Sequence, residues 1–241
     1  MAAQIIGLQV SQVRIFQADA LPFAFLQLNA SVQRIMKEFE FRQAATLKPQ
    51  QTPDLSGGVA FFSGAFQASS MTIVIQQLIL EKRRIILNVA GSSGAADLAF
   101  SRLRDLVKEL DQRENKAEIE PLVQTDETTT IVKLDLSIAK IFSTGQFASF
   151  SGALESKLDR YGTKETKLVP ISVRYRVAYG DLSDELKANN IALLAKEIVI
   201  ELREGTPLED NTFFIVSPNR SDLHLEIVSL IEQTFSEKSR Q

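Results

Sequence analysis

The sequence predicts an α+β fold of two tandem β-α-β-β-β-α units, with a largely antiparallel sheet and its helices gathered on one face. Three observations lead there. Two strand-like blocks, IGLQVSQVRIF at 6–16 and VKLDLSIAKIF at 132–142, stand 126 positions apart and agree at Leu8 and Leu134, Ser11 and Ser137, Ile15 and Ile141, and Phe16 and Phe142. Two amphipathic blocks, DLAFSRLRDLVKEL from Asp97 and DLHLEIVSLIEQTF from Asp222, stand 125 apart. Between these landmarks each half repeats one helix followed by three strands. Two separated matches at nearly one spacing point to an internal duplication.

The first block alternates apolar residues at Ile6, Leu8 and Val10 and resumes at Val13 and Ile15, one position out of phase. A bulge is the simplest way to keep those side chains on one face. Pro22 to Phe39 carries Phe25, Val32, Ile35, Met36 and Phe39 at helical spacing, entered through Asp19 with Pro22 in a tolerated first-turn position. A loop from Lys48 to Gly58 leads into three strands, Gly58 to Gln67, Met71 to Leu80 and Arg84 to Val89. Asp97 and Asp222 are placed to cap the closing helix of each half. The segment 111–128, rich in charge and broken by Pro121, reads as a linker between halves 1–110 and 129–241. In the second half a helix is expected at Gln146 to Tyr161, with strands at Leu168 to Tyr179, Lys196 to Arg203 and Asn211 to Val216. Asp181 to Ala195 has no counterpart in the first half and reads as an insertion that can carry specificity.

Composition removes whole classes of chemistry. The 241 residues include no cysteine and one histidine, His224, which excludes disulfides, thiolate zinc sites, iron–sulfur ligation and multi-histidine metal sites. No metal and no cofactor is expected. The net charge of -3 gives no overall attraction to nucleic acid or anionic lipid. No apolar run approaches the roughly 18 residues a membrane-spanning helix needs, and MAAQIIGLQV lacks the features of a secretory leader. A cytoplasmic protein without a membrane partner is the expectation.

Function is then sought on surfaces. Val169 to Tyr179 and Lys196 to Arg203 alternate cleanly, so the second half has a wet face where Arg174 or Arg176 can pair with Glu201. The first-half strands VAFFSGAFQ and TIVIQQLIL are apolar on both faces, and one face must be covered by something else. This predicts a non-enzymatic protein-binding or assembly module, self-associating as a homo-oligomer, with Phe61, Phe62, Phe66 and Ile75 as contact residues. The competing reading is recognition of nucleic acid or a phosphorylated ligand by Lys82, Arg83 and Arg84, the strand-to-helix loop Gly91, Ser92, Ser93 and Gly94, and Arg174 and Arg176. Helix capping is the plainer role for that loop. His224 could act as a base only beside a carboxylate, and no nucleophile motif accompanies it.

Overall fold

The computed structural model describes residues 3–47, 57–69, 71–114, 118–141, 154, 170–177, 180–181, 183–189, 191 and 195–235. Its strands are β1 (Gln4–Phe16), β2 (Gln43–Leu47), β3 (Gly58–Ala68), β4 (Met71–Leu80), β5 (Arg84–Ala90), β6 (Pro121–Lys133), β7 (Ser172–Val177), β8 (Lys196–Leu202) and β9 (Thr212–Ser217). All pair antiparallel in one open sheet, in the order β2-β3-β4-β5-β1-β6-β9-β8-β7. The helices are α1 (Phe23–Leu26), α2 (Asn29–Glu38), α3 (Ser93–Leu110), α4 (Ile138–Ile141), α5 (Asp184–Ala188) and α6 (Ser221–Phe235).

Alternation along each strand decides which side is dry. Val10, Leu87, Ile75 and Phe61 point to the face covered by α1, α2 and α3, and form the first core with Leu103, Leu106 and Val107 of α3. Val132, Ile215 and Ile200 point the same way and form a second core with Val228 and Ile231 of α6. Long central strands β1 and β6 join the two cores, and their register places Val10 opposite Thr128.

The structure corrects the sequence reading at β1 and β6. In β1 the inward alternation runs unbroken through Val10, Gln12, Arg14 and Phe16, all buried, and the register shifts lie at the ends, at Ile5/Gly7 and Ile15/Phe16. The apparent phase slip in the sequence arises because two inward residues are polar. A slip does occur in β4, between Ile75 and Gln77 against β5, and β3 on its other side has Ser63 at φ 54 at the same level. The second central strand is Pro121–Lys133, so most of the block 132–142 lies beyond it and contributes α4 instead. Half of the charged segment expected to be a linker is therefore sheet. Its earlier part is also tied down, because Asp111 and Ile119 are buried and Arg113 Nη2 donates to Ala20 O at 2.9 Å.

Three smaller differences have local causes. The helix expected at 22–39 is broken at Gln27–Leu28, where Leu28 is extended at φ -65, ψ 140. Beyond it the chain reverses at Glu40, φ 48, and adds the edge strand β2, which sequence alternation did not reveal. That reversal packs on Gly64, where a Cβ would lie 2.6 Å from Phe39 O and 2.4 Å from the Phe41 ring. And α3 begins at Ser93, capped by Ser92, whose Oγ accepts from Ala95 N at 3.3 Å, so Asp97 is not a cap. The helix expected at 146–161 lies outside the described residues, save for 154.

Candidate functional site

Between the two cores runs a seam of buried polar side chains. Gln12, Arg14, Ser93, Thr128, Thr130, Ser217, Ser221 and His224 are all less than one-tenth exposed. They come from β1, β6 and β9 and from the first turns of α3 and α6. Burying such groups costs free energy unless they find partners, so the seam's chemistry lies in how they are satisfied.

Where α3 and α6 meet, Ser93 N donates to Ser221 Oγ at 3.0 Å and Ser221 N donates to Ser93 Oγ at 2.9 Å. The amides an anion would need in the Gly91, Ser92, Ser93, Gly94 loop are thus partly used, by the Ser92 cap and by this reciprocal pair. Beside it lies a ring of four alternating charges. Arg14 Nη1 reaches Asp126 Oδ1 at 2.8 Å; Asp126 Oδ2 lies 3.4 Å from Arg220 Nη1; Arg220 Nη2 reaches Asp97 Oδ2 at 2.8 Å; and Asp97 Oδ1 returns to Arg14 Nη2 at 3.5 Å. Two of these residues belong to β1 and α3, two to β6 and the approach to α6, so the ring ties the halves together. Phe100 stacks under the Arg14 guanidinium at 5.6 Å. Desolvation raises the Asp97 pKa, but hydrogen bonds from Arg220 and Gln12 and the nearby guanidinium charges outweigh it and hold it below the usual carboxylate range. The ring is neutral as a whole and internally saturated, which suits a staple better than a proton-transfer site.

His224 is wholly buried, with Nδ1 2.8 Å from Ser217 Oγ and Nε2 2.5 Å from Thr130 Oγ1. Burial pushes its pKa down from 6.5 to about 4, so the imidazole is neutral at pH 7. Its partners are hydroxyls rather than a carboxylate, and Thr130 and Ser217 are themselves wholly buried. This arrangement presents no reacting atom to solvent. Among the described residues no group of three or more His, Asp or Glu could hold a metal ion, and no helix is long and apolar enough to cross a membrane.

The residues expected at an apolar contact surface are divided by the sheet. Phe61 and Ile75 are wholly buried in the first core, and Phe66 stacks on Phe39 at 5.5 Å, so these three face the helices. Phe62 alone lies on the opposite side, half-buried and paired with Gln77. That face, on which no helix of the described residues forms a core, carries a cross-strand row of the wholly buried Ala60 and the partly exposed Ile79, Ile86 and Val13, followed by Thr125. Val74 sits on the same face, 49% exposed. The error had one source: two apolar faces look alike in sequence, and only register separates them.

The basic residues do not converge. Lys82 lies 3.8 Å from Asp19, Arg83 donates to Phe16 O at 3.3 Å and to Asn189 O at 3.1 Å, and Arg84 pairs with Glu81 at 2.5 Å. The Gly91–Gly94 loop is at the other end of β5, about 20 Å along the strand. Arg174 pairs with Glu201 at 3.2 Å on β7, and Arg176 stands opposite Glu197, at the far edge of the sheet. The Arg83 bond shows that the 181–195 segment reaches the β4–β5 turn of the first half. What the sequence reading missed was the seam itself. Its signal was present as polar Gln12 and Arg14 at period-two positions inside an otherwise apolar strand.

No protein-family model matches this chain, and no curated protein matches it either.

Proposed function

We propose that this protein is a non-enzymatic binding and assembly module, built from two halves related by internal duplication, that self-associates through the helix-free face of its first half. The observation that carries the reading is the uncharged, partly exposed row Ile79, Ile86 and Val13, flanked by Phe62 and Val74, on a face to which no core helix among the described residues contributes. The charges nearest this patch are paired: Arg84 meets Glu81 at the β4–β5 turn, Lys196 meets Glu127 on the central strand β6, and Arg174 meets Glu201 at the far side of the sheet. A central apolar patch with a paired polar rim has the make-up of a protein interface.

Duplication is supported by topology rather than by the matched sequence blocks. In each half a thirteen-residue strand pairs with the last strand of its own half, and that strand leads into the closing helix. The reciprocal Ser93–Ser221 bonds and the Val10–Thr128 pair are the contacts a pseudo-twofold axis would produce. Equivalence then runs with offsets near 118 for the central strands and 128 for the closing helices, in place of the 126 and 125 of the matched sequence blocks.

Sedimentation velocity from about 1 to 100 μM tests the association. The wild type should sediment as an oligomer, and Ile86→Lys should shift it to monomer with an unchanged far-UV CD spectrum. A wild type that stays monomeric throughout, or a lysine variant that associates as tightly, refutes the reading.

A further inference from the structure

Beyond self-association, the two edges of the sheet differ in a way that points to a second binding site. The β7 edge carries Arg174 and Arg176, the kind of charge that discourages another strand from pairing. The β2 edge reads QAATL, carries no charge, and among the described residues pairs only with β3. Gln43, Ala44, Ala45 and Thr46 are exposed. Alongside this edge, between β2 and α2, lie two cavities of about 360 and about 560 Å³ that share Asn29, Val32, Ala44 and Ala45 and so form one groove.

The groove is chemically biased. Val32 and Met36 of α2 give it a partly apolar wall, and both are packed on the first core, so that wall is firmly seated. Among the described residues Arg42 is the only charged one lining it. Among the described residues Arg42 makes no side-chain hydrogen bond or ion pair, while most other arginines in the first half have one. The two cavities also share Asn29, the first residue of α2, whose N-cap Leu28 makes no side-chain cap bond. Arg42 and the α2 N-terminus therefore both favour negative charge, and no carboxylate is among the described residues lining the groove.

We infer that the β2–α2 groove binds an extended, acidic peptide segment of a partner protein, which adds to β2 as a tenth strand. Main-chain hydrogen bonds to the free edge supply affinity, and alternate apolar side chains enter the groove against Val32 and Met36. A carboxylate of the peptide pairs with Arg42. The five residues of β2 span roughly 17 Å, so five or six peptide residues fill the site.

The test uses fluorescein-labelled octapeptides that alternate leucine or valine with threonine and end in two aspartates, compared with the same peptides ending in two lysines. Fluorescence anisotropy should give the acidic peptides at least tenfold tighter binding to the full chain at low salt. Arg42→Glu, shown folded by far-UV CD, should reverse that preference, and a proline in the centre of the acidic peptide should abolish binding. In ¹⁵N spectra the amides of Gln43–Leu47 and of α2 should shift. Absence of binding by any of these peptides at 1 mM overturns the inference, as do shifts confined to the helix-free face or an Arg42→Glu protein with unchanged preference. Self-association measured by sedimentation is unaffected by any of these outcomes, so the two proposals fail separately.

Discussion

Acidification should weaken this protein through one side chain. His224 has a folded pKa of about 4 against 6.5 when exposed, because a cation would be stranded in the seam. Between those values the unfolded chain binds a proton that the folded chain refuses, so stability is complete above about pH 6.5 and falls as pH drops towards 4. The difference of about 2.5 pH units corresponds to roughly 3 kcal/mol, lost at up to about 1.4 kcal/mol per unit. Asp97 and Glu38 also have displaced pKa values, but both are lowered, so what they contribute is lost only below their ordinary values of 3.8 and 4.5. For Glu38 the main cause is its hydrogen bond from Arg102. The interval from pH 6.5 to 5 therefore reports His224. Urea denaturation of untagged protein at pH 7.5, 6.5, 5.5 and 5.0 measures the loss. His224→Leu should be less stable at pH 7.5, since Ser217 and Thr130 lose a partner, yet its stability should be nearly flat across the same interval. As the chain has one histidine, its imidazole Cε1–H signal can be followed by NMR without assignment. A folded-state midpoint near 6.5, or equal pH dependence in wild type and variant, would refute the account.

Two further substitutions probe the packing and the seam. Gly64→Ala forces a methyl group against Phe39 O and the Phe41 ring, and should cost about 1–3 kcal/mol in urea denaturation, with the Ala65 N–Phe39 O bond of 2.8 Å the first contact disturbed. Asp126→Asn removes the charge nearest the buried Arg14, leaving it the longer contact to Asp97 and the carbonyls of Val13 and Thr125, and should cost about 3 kcal/mol; replacing Arg14 and Asp126 together by methionine and leucine should recover most of that loss. By contrast, Arg220→Ala, at a half-exposed member of the ring, should change stability by no more than about 1 kcal/mol.

Much of the fold was legible because its signals are local. Ile85, Leu87 and Val89 alternate on β5, Ile200 and Leu202 on β8, and Leu103, Leu106 and Val107 mark one side of α3; each pattern lies within a few residues and reports burial directly. The antiparallel sheet and the closing helices follow from such patterns. The contact surface was only half legible. Phe61 and Phe62 are neighbours of the same chemical type, and which one meets solvent depends on pairing with Leu78 and Gln77 of β4.

By itself, then, the sequence determined the α+β class, the largely antiparallel sheet and the lack of thiol and multi-histidine chemistry, because composition and short-range periodicity suffice for these. Tertiary structure decided where the second central strand runs, which apolar face of β3 and β4 meets the helices, and that polar Gln12 and Arg14 point inward. The physical reason is the same in each case. Periodicity is read on the assumption that inward means apolar, and that assumption fails where a buried charge is satisfied by partners about a hundred residues away, as Arg14 is by Asp126 and Asp97.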